Sequence, residues 1–206
     1  MTVLDRGLTS RPLILGSFSP WRRKEMEAMG LKFFVMVADI DEKAIRHADP
    51  AILTLNIAVA KASALLPRIS TPSVLITSDQ VAVFRGEIRE KPVDAEQACR
   101  WLTEYGAGEP VSTVTTVVVT DTATRRSIHA TDVARVWFEP LPARAMEAML
   151  AIDVLNSCGA FTIDDPNLAP FVLKVEGDGD VTEVRSSISG LPRAKTLALI
   201  DRILLP

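Results

Sequence analysis

Apolar positions along this chain recur with two periods, and the switches between them mark out the elements. Leu13–Gly16 is a short apolar run that reads as a buried strand; residues 20–29 follow with helical spacing, and Gly30 is placed to end that helix. Residues 33–37 form a second apolar strand. Asp49 followed by Pro50 is a helix start, because an aspartate caps free N–H groups and proline suits the first helical position. The apolar face of that helix runs through Leu53, Ile57, Ala60 and Ala64 to a stop near Pro67. Residues 74–77 read as a buried strand, with a hairpin-like return around Arg85 and Gly86. Asp94 with Gln97 three residues later resembles a capping box for a helix over Ala95–Tyr105. Two long β-rich stretches, 111–120 and Ser127–Phe138, are separated by a polar turn and read as antiparallel partners; residues 142–152 and 192–204 are helical. Between these last two helices the chain is rich in Gly, Asp and Ser, above all in "EGDGDVTEVRSSISG", and the pattern predicts no element there. Helices mixed with short buried and long antiparallel strands predict an α/β or α+β fold with a mixed sheet.

Length and charge narrow the function classes. A chain of 206 residues buries a substantial core and is expected to form a single domain over 1–206, bilobed in shape. Its 23 basic and 26 acidic residues leave a net charge of -3, so no global basic footprint points to nucleic acid or an anionic membrane, and any anion site must be local. The N-terminal residues lack an apolar leader core, and no apolar run approaches the ~18–20 residues of a membrane span. The expectation is a soluble cytoplasmic protein without a membrane partner. Cys99 and Cys158 form no CxxC and have no His cluster beside them, which predicts two reduced, buried thiols.

The candidate chemistry lies at the ends of the apolar elements, where α/β proteins place ligands. "GSFSPWRR" follows the first strand and opens the first helix, an arrangement that presents backbone N–H groups, hydroxyls and Arg22 to an anion. Asp79 follows "VLIT" directly and is expected to emerge from the end of a buried strand; taken alone it reads equally as a turn cap. Glu42 sits in an acidic loop, Lys61 in a largely apolar helix, and Lys91 in an extended segment before Pro92. A nucleoside triphosphate, with about four negative charges, wants such a set: cations on the phosphates and an activated water at the bond to be cut. A hard divalent cation, Mg²⁺ or Mn²⁺, prefers carboxylate and phosphate oxygens, which suits a chain with two histidines. Asp79 and Glu42 are thus candidates to hold metal or water, and Arg22, Lys61 and Lys91 to hold phosphate. No GxxxxGK[ST] loop is present, and "GDG" at 177–179 is too little for a dinucleotide site.

In this order and spacing the motifs resemble the Maf family of nucleoside triphosphate pyrophosphatases. "LILGSFSPWRRKEM" is similar to the family's strand, turn and helix, "DIDEKAIR" to its acidic loop, and "IAVAKASAL" to its lysine helix. "ITSDQVAVFRGEIREKPVDAEQA" resembles the segment with the catalytic Asp and second Lys, and "CGAFTIDD" and "ISGLP" resemble the C-terminal signatures. The resemblance implies an elongated mixed sheet in two lobes around a deep cleft, as in the related inosine triphosphate pyrophosphatases. It further implies dependence on a divalent metal, hydrolysis between the α and β phosphates, and a homodimer. It assigns Ser17, Ser19 and Arg22 to the triphosphate, Asp79 to the proton, and Glu42, Lys61 and Lys91 to metal and phosphate.

Three positions vary between branches of the family. Here they are Trp21, Gln80 and Asp164, with Asp165 as the competing assignment for the third. Trp and Gln resemble the 7-methyl-GTP branch, with Asp in place of its Glu; the dTTP/UTP branch typically shows Arg, Thr and Gln. The leading expectation is a house-cleaning pyrophosphatase for 7-methyl-GTP. A dTTP/UTP or broader non-canonical nucleotide pyrophosphatase is the alternative enzyme, and a nucleotide-binding regulator of cell division the alternative of another class.

Overall fold

The computed structural model describes residues 11–151 and 154–205. Its mixed α/β fold is built on a seven-stranded sheet, and the strands are β1 (Leu13–Gly16), β2 (Phe33–Met36), β3 (Val74–Phe84), β4 (Glu87–Arg89), β5 (Val111–Asp121), β6 (Ser127–Phe138) and β7 (Val172–Glu176). The strand order is β2-β1-β3-β5-β6-β7, with β4 paired to β3. The helices are α1 (Pro20–Ala28), α2 (Pro50–Leu65), α3 (Ala95–Tyr105), α4 (Ala143–Leu150), α5 (Val181–Ile188) and α6 (Arg193–Leu204).

The chain divides into two compact units. The first takes the chain up to Asp79, Thr115–Asp132 and the C-terminal stretch from Gly190; the second takes Gln80–Val114 and Val133–Ser189. In the first unit β1 lies parallel to both β2 and β3, in registers that set Leu13 beside Phe33 and Val74. Parallel strands with helical crossovers bury both faces. Accordingly Leu13, Leu15 and Ile76 pack with Met26 of α1 and Leu199, Ile200 and Ile203 of α6, whereas Ile14 and Leu75 pack with Ala62 and Leu65 of α2. In the second unit Phe84, Tyr105, Phe138 and Phe161 form an aromatic cluster with ring centroids 5.2–6.1 Å apart, a spacing at which edge-to-face pairs attract.

Local chemistry sets the element ends where the sequence pattern places them. Asp49 caps α2 by accepting from the N–H groups of Ala51 and Ile52, and Asp94 caps α3 by accepting from Gln97 at 2.8 Å. The reciprocal arm of that second cap falls one residue early, for Gln97 Oε1 accepts from Val93 N rather than from Asp94. Arg85 and Gly86 both have positive φ, the geometry of a two-residue hairpin whose twist suits the β3–β4 pair. β5 and β6 are sheet neighbours joined by a short turn closed by Asp121 N donating to Arg126 O, so they run antiparallel as expected.

Several expectations are corrected. The strand beginning at Val74 does not stop at Thr77: it runs eleven residues to Phe84, because Ser78 and Asp79 are buried polar residues that continue the β pattern. The buried stripe of α2 goes through Leu53, Ile57, Lys61 and Leu65, which leaves Ala60 and Ala64 half-buried at its margin. The helical run Pro50–Arg68 is long and apolar enough to pass for a membrane span, contrary to the expectation of none, but its stripe packs in the core of the first unit. The stretch without a predicted element holds β7 and α5; Asp180 caps α5 by accepting from Glu183 N at 3.0 Å, and Ser186 Oγ donates to Glu183 O, so side chains that weaken a helix pattern are absorbed as helix bonds. The helix expected over 142–152 is Ala143–Leu150; residue 152 lies outside the described residues. Cys99 and Cys158 are free thiols, as expected, but half-buried rather than buried.

Candidate active site

The first unit assembles most of the expected residues. β1 ends at Gly16, where nothing larger fits: a Cβ there would lie 2.7 Å from both Leu65 Cδ1 and Thr77 Cγ2. The chain then turns through Ser17, whose buried hydroxyl accepts from Ser19 N at 3.1 Å. Ser19 is the N-cap of α1, its hydroxyl accepting from Arg22 N, and Pro20 takes the first helical position, where no N–H is needed. The positive end of α1 and the two serines therefore face the same short stretch as Arg22. Arg22 Nε donates to Gly190 O at 3.0 Å, and Ser78 Oγ donates to that same carbonyl at 3.1 Å. Gly190, at φ +95°, thus ties the "ISGLP" turn to α1 and β3. A second tie is the ion pair of Arg193 Nε with the buried carboxylate of Glu25 on α1, at 2.5 Å.

Lys61 and Asp79 meet in the core of this unit. Lys61, 8% exposed on α2, and Asp79, 6% exposed on β3, are joined by a 2.8 Å bond from Nζ to Oδ1. Glu42, which opens a single 3₁₀ turn and is half exposed, accepts from the same ammonium at 3.2 Å. Thr77 Oγ1, donating to Ala58 O at 2.8 Å, holds β3 to α2 one turn away. Burial raises the Asp79 carboxyl above its ordinary range; the charges of Lys61 and Arg22 and the Lys61 hydrogen bond work against that, and Glu42 adds to it. A carboxylate of raised proton affinity held by a cation has the character that abstraction of a proton from water asks for.

The donor set suits a hard cation. Two carboxylates, Glu42 and Asp79, reach one ammonium, while among the described residues no group of three or more His, Cys, Asp or Glu is placed to bind a metal. Magnesium is commonly held by one or two carboxylates with substrate phosphates completing its shell, so these residues fit that ion.

The remaining candidates are placed as follows. Trp21, in the first turn of α1, is half-buried, and Lys24 Nζ stands 5.6 Å from its ring centroid, so the indole already attracts a cation. Lys91 belongs to the second unit and is exposed. Gln80 Nε2 donates to Ser187 O at 2.9 Å and Ile188 O at 3.2 Å, at the end of α5. Asp164 is an ion-pair partner, its Oδ1 accepting from Arg185 at 2.7 Å. Asp165 Oδ1 accepts from Asn167 N and Nδ2, a local turn that spends it on the loop. Sequence reasoning missed Arg185, the Glu25–Arg193 pair and the bond of Ser78 to Gly190. Each bond spans a long sequence separation, and the one local signal was the position of Ser78 beside Asp79.

The family model described as "Maf-like protein" matches residues 12–203. A relative from Dictyostelium discoideum, named 7-methyl-GTP pyrophosphatase, is 40% identical over 204 residues, covering 95% of this chain and 99% of its own. A relative of the same name from Idiomarina loihiensis is 33% identical, covering 93% of each chain. One from Nostoc punctiforme, named nucleoside triphosphate pyrophosphatase, is 33% identical and covers 81% of this chain and 83% of its own.

Proposed function

Because the chain belongs to the Maf-like protein family, we propose that it is a nucleoside triphosphate pyrophosphatase that hydrolyses 7-methyl-GTP to the monophosphate and pyrophosphate, clearing modified nucleotides from the cytoplasm. The observation that carries this reading is the 40% identity, over nearly the whole of both chains, to a relative named for that activity. The Lys61–Asp79 pair and the serine-lined start of α1 support it chemically.

In this reading Ser17, Ser19, the α1 N–H groups and Arg22 bind the phosphates. Asp79 takes the proton of the attacking water while the water oxygen bonds to the α phosphorus and the bond to the β phosphate oxygen breaks, releasing pyrophosphate. Lys61 fixes the orientation of Asp79 and offsets its charge, and Lys91 adds a cation for the phosphates. Glu42 and Asp79 would hold a divalent cation, which supplies charge neutralisation to the triphosphate. Trp21 stacks on the N7-methylated base, whose positive charge strengthens the contact with an indole by roughly 0.5–2 kcal/mol. Gln80 and Asp164 face its edge. With its amide donors spent on α5, Gln80 acts as a fixed spacer rather than a free reader.

The test is a nucleotide panel (7-methyl-GTP, GTP, dTTP, UTP) with the purified chain, with magnesium and with chelator, scoring pyrophosphate against orthophosphate. The expected result is metal-dependent release of pyrophosphate, with kcat/KM for 7-methyl-GTP about ten-fold or more above GTP. Equal efficiency for those two, or a preference for dTTP, would remove the methylguanine reading; orthophosphate as first product would remove the pyrophosphatase reading altogether.

A further inference from the structure

Two of the residues that vary where base choice is made, Gln80 and Asp164, are tied to one short helix. Gln80 Nε2 is bound by the carbonyls of Ser187 and Ile188 at the C-terminal end of α5. Asp164 is bound by Arg185, one turn earlier on the same helix. The Nη2 of Arg185 donates to Asp164 Oδ1 at 2.7 Å and also to Ile163 O at 3.2 Å, gripping the side chain and the peptide just before it. Arg185 and Asp164 are each about one-third or less exposed, 32% and 27%, so this is not a pair dangling in solvent. The helix itself is anchored, with Val184, Ser186, Ser187 and Ile188 buried and Ile163 buried beneath the gripped turn.

We propose that Arg185 is the positioning residue for base selection: gripping the Ile163–Asp164 turn against α5, it holds the Asp164 carboxylate as a hydrogen-bond acceptor for the donor edge of guanine. The inference rests on the functional reading above, in which Asp164 faces the base, and adds the residue that makes its aim definite. An aspartate, one methylene shorter than glutamate, reaches less far and tolerates less misplacement, so a clamp on both its side chain and its backbone matters more. The pairing has a second consequence. A carboxylate that shares its charge with an arginine still accepts hydrogen bonds from N1–H and the N2 amino group but exerts less undirected pull on any cation. Discrimination then comes from hydrogen-bond geometry, which uracil, with no amino group at that edge, does not satisfy.

The distinguishing assay compares two uncharged bases, GTP and UTP, by the ratio of their kcat/KM values. Arg185→Met is expected to lower the GTP:UTP ratio about ten-fold, the scale of one misplaced polar contact, and Arg185→Lys, which keeps the charge but loses the planar fork, to fall between Met and wild type. In an Asp164→Ala background the Arg185→Met change should produce no further drop in the ratio, since its effect passes through Asp164. A purely structural role predicts equal losses for both nucleotides, and that outcome overturns the proposal, as does a ratio within two-fold of wild type or a drop that persists without Asp164. Circular dichroism and melting of each variant establish folding, and if the Met variant does not fold, the Lys variant decides alone: an unchanged ratio there overturns the proposal. If Asp164→Ala leaves the ratio unchanged, Asp164 does not read the base and the inference falls with that part of the reading. If Asp164→Ala lowers the ratio and the Arg185 variants do not, the base reading stands and only the inference about Arg185 falls.

Discussion

Replacing Lys61 by Met separates the stability of the buried pair from its chemistry. Lys61 and Asp79 have side chains only 10% and 8% exposed, and their 2.8 Å contact is the main compensation for an ionised carboxylate taken out of water. Met keeps the length and packing of the lysine stem but leaves Asp79 with Arg22 as its more distant cation and Glu42 as a repelling anion. Breaking one partner of such a pair costs about 3–5 kcal/mol, whereas replacing both is often close to neutral. For a chain of this length, each kcal/mol moves the melting temperature by about 2–4 °C, so the single variant should melt roughly 6–20 °C below wild type. The sign of the pH dependence follows from the raised proton affinity of Asp79. The folded state holds that proton more tightly than the unfolded chain, so ionising it costs stability, and the cost appears as pH rises from 3.8 through the raised value. Losing Lys61 raises the proton affinity further, so the deficit of Lys61→Met is greatest at neutral pH and shrinks on acidification as Asp79 protonates. Urea denaturation of wild type, Lys61→Met and Lys61→Met/Asp79→Asn at pH 7.5 and at mildly acid pH measures all of this. A single-variant loss below about 1 kcal/mol, the scale of an exposed pair, would refute the reasoning. So would a double variant no more stable than the single one.

Two further outcomes are expected. Asp79→Asn keeps the shape and a hydrogen-bonding group beside Lys61 while removing the proposed base, so steady-state turnover of 7-methyl-GTP should fall by about 10²-fold or more while circular dichroism shows the fold kept; retention of more than about a tenth of wild-type turnover would place the base elsewhere. Gly16→Ala forces a methyl group to within 2.7 Å of Leu65 and Thr77, and should cost about 1–3 kcal/mol in denaturant titration, because Thr77 is β-branched and fixed by its bond to Ala58.

The turn that opens α1 was readable because its signals are local. Ser19, Pro20 and Arg22 lie within a single turn, and the caps at Asp49 and Asp94 each involve partners two or three residues away. Asp79 was found for an inexact reason. It lies in the middle of an eleven-residue strand rather than at a strand end, because the buried ammonium of Lys61 lets a carboxylate continue a core strand. The residues proposed for the base were named by resemblance, but their bonding was not legible: nothing near Asp164 in sequence announces Arg185, 21 residues away, and nothing near Gln80 announces carbonyls more than a hundred residues on.

What the sequence determined by itself is therefore the set of elements with clear periodicity or local caps, the mixed fold, and the inventory of ionisable groups suited to a triphosphate. Hydrophobic spacing and capping act over a turn or two of chain, and a linear reading carries that information in full. The tertiary structure alone decided which of those groups meet and what each is free to do. Burial of Lys61 and Asp79 in one core makes a buried ion pair of two ordinary residues. Polar side chains of α5 find partners within the helix and beyond it, making an anchored helix of a stretch without periodicity. Arg185 fixes where the Asp164 carboxylate sits, and the carbonyls of α5 take the amide hydrogens that Gln80 would otherwise offer a ligand. The physical reason is the same in each case: a hydrogen bond or ion pair reports distance in space, and desolvation reports everything packed around a group, neither of which is a function of neighbouring letters.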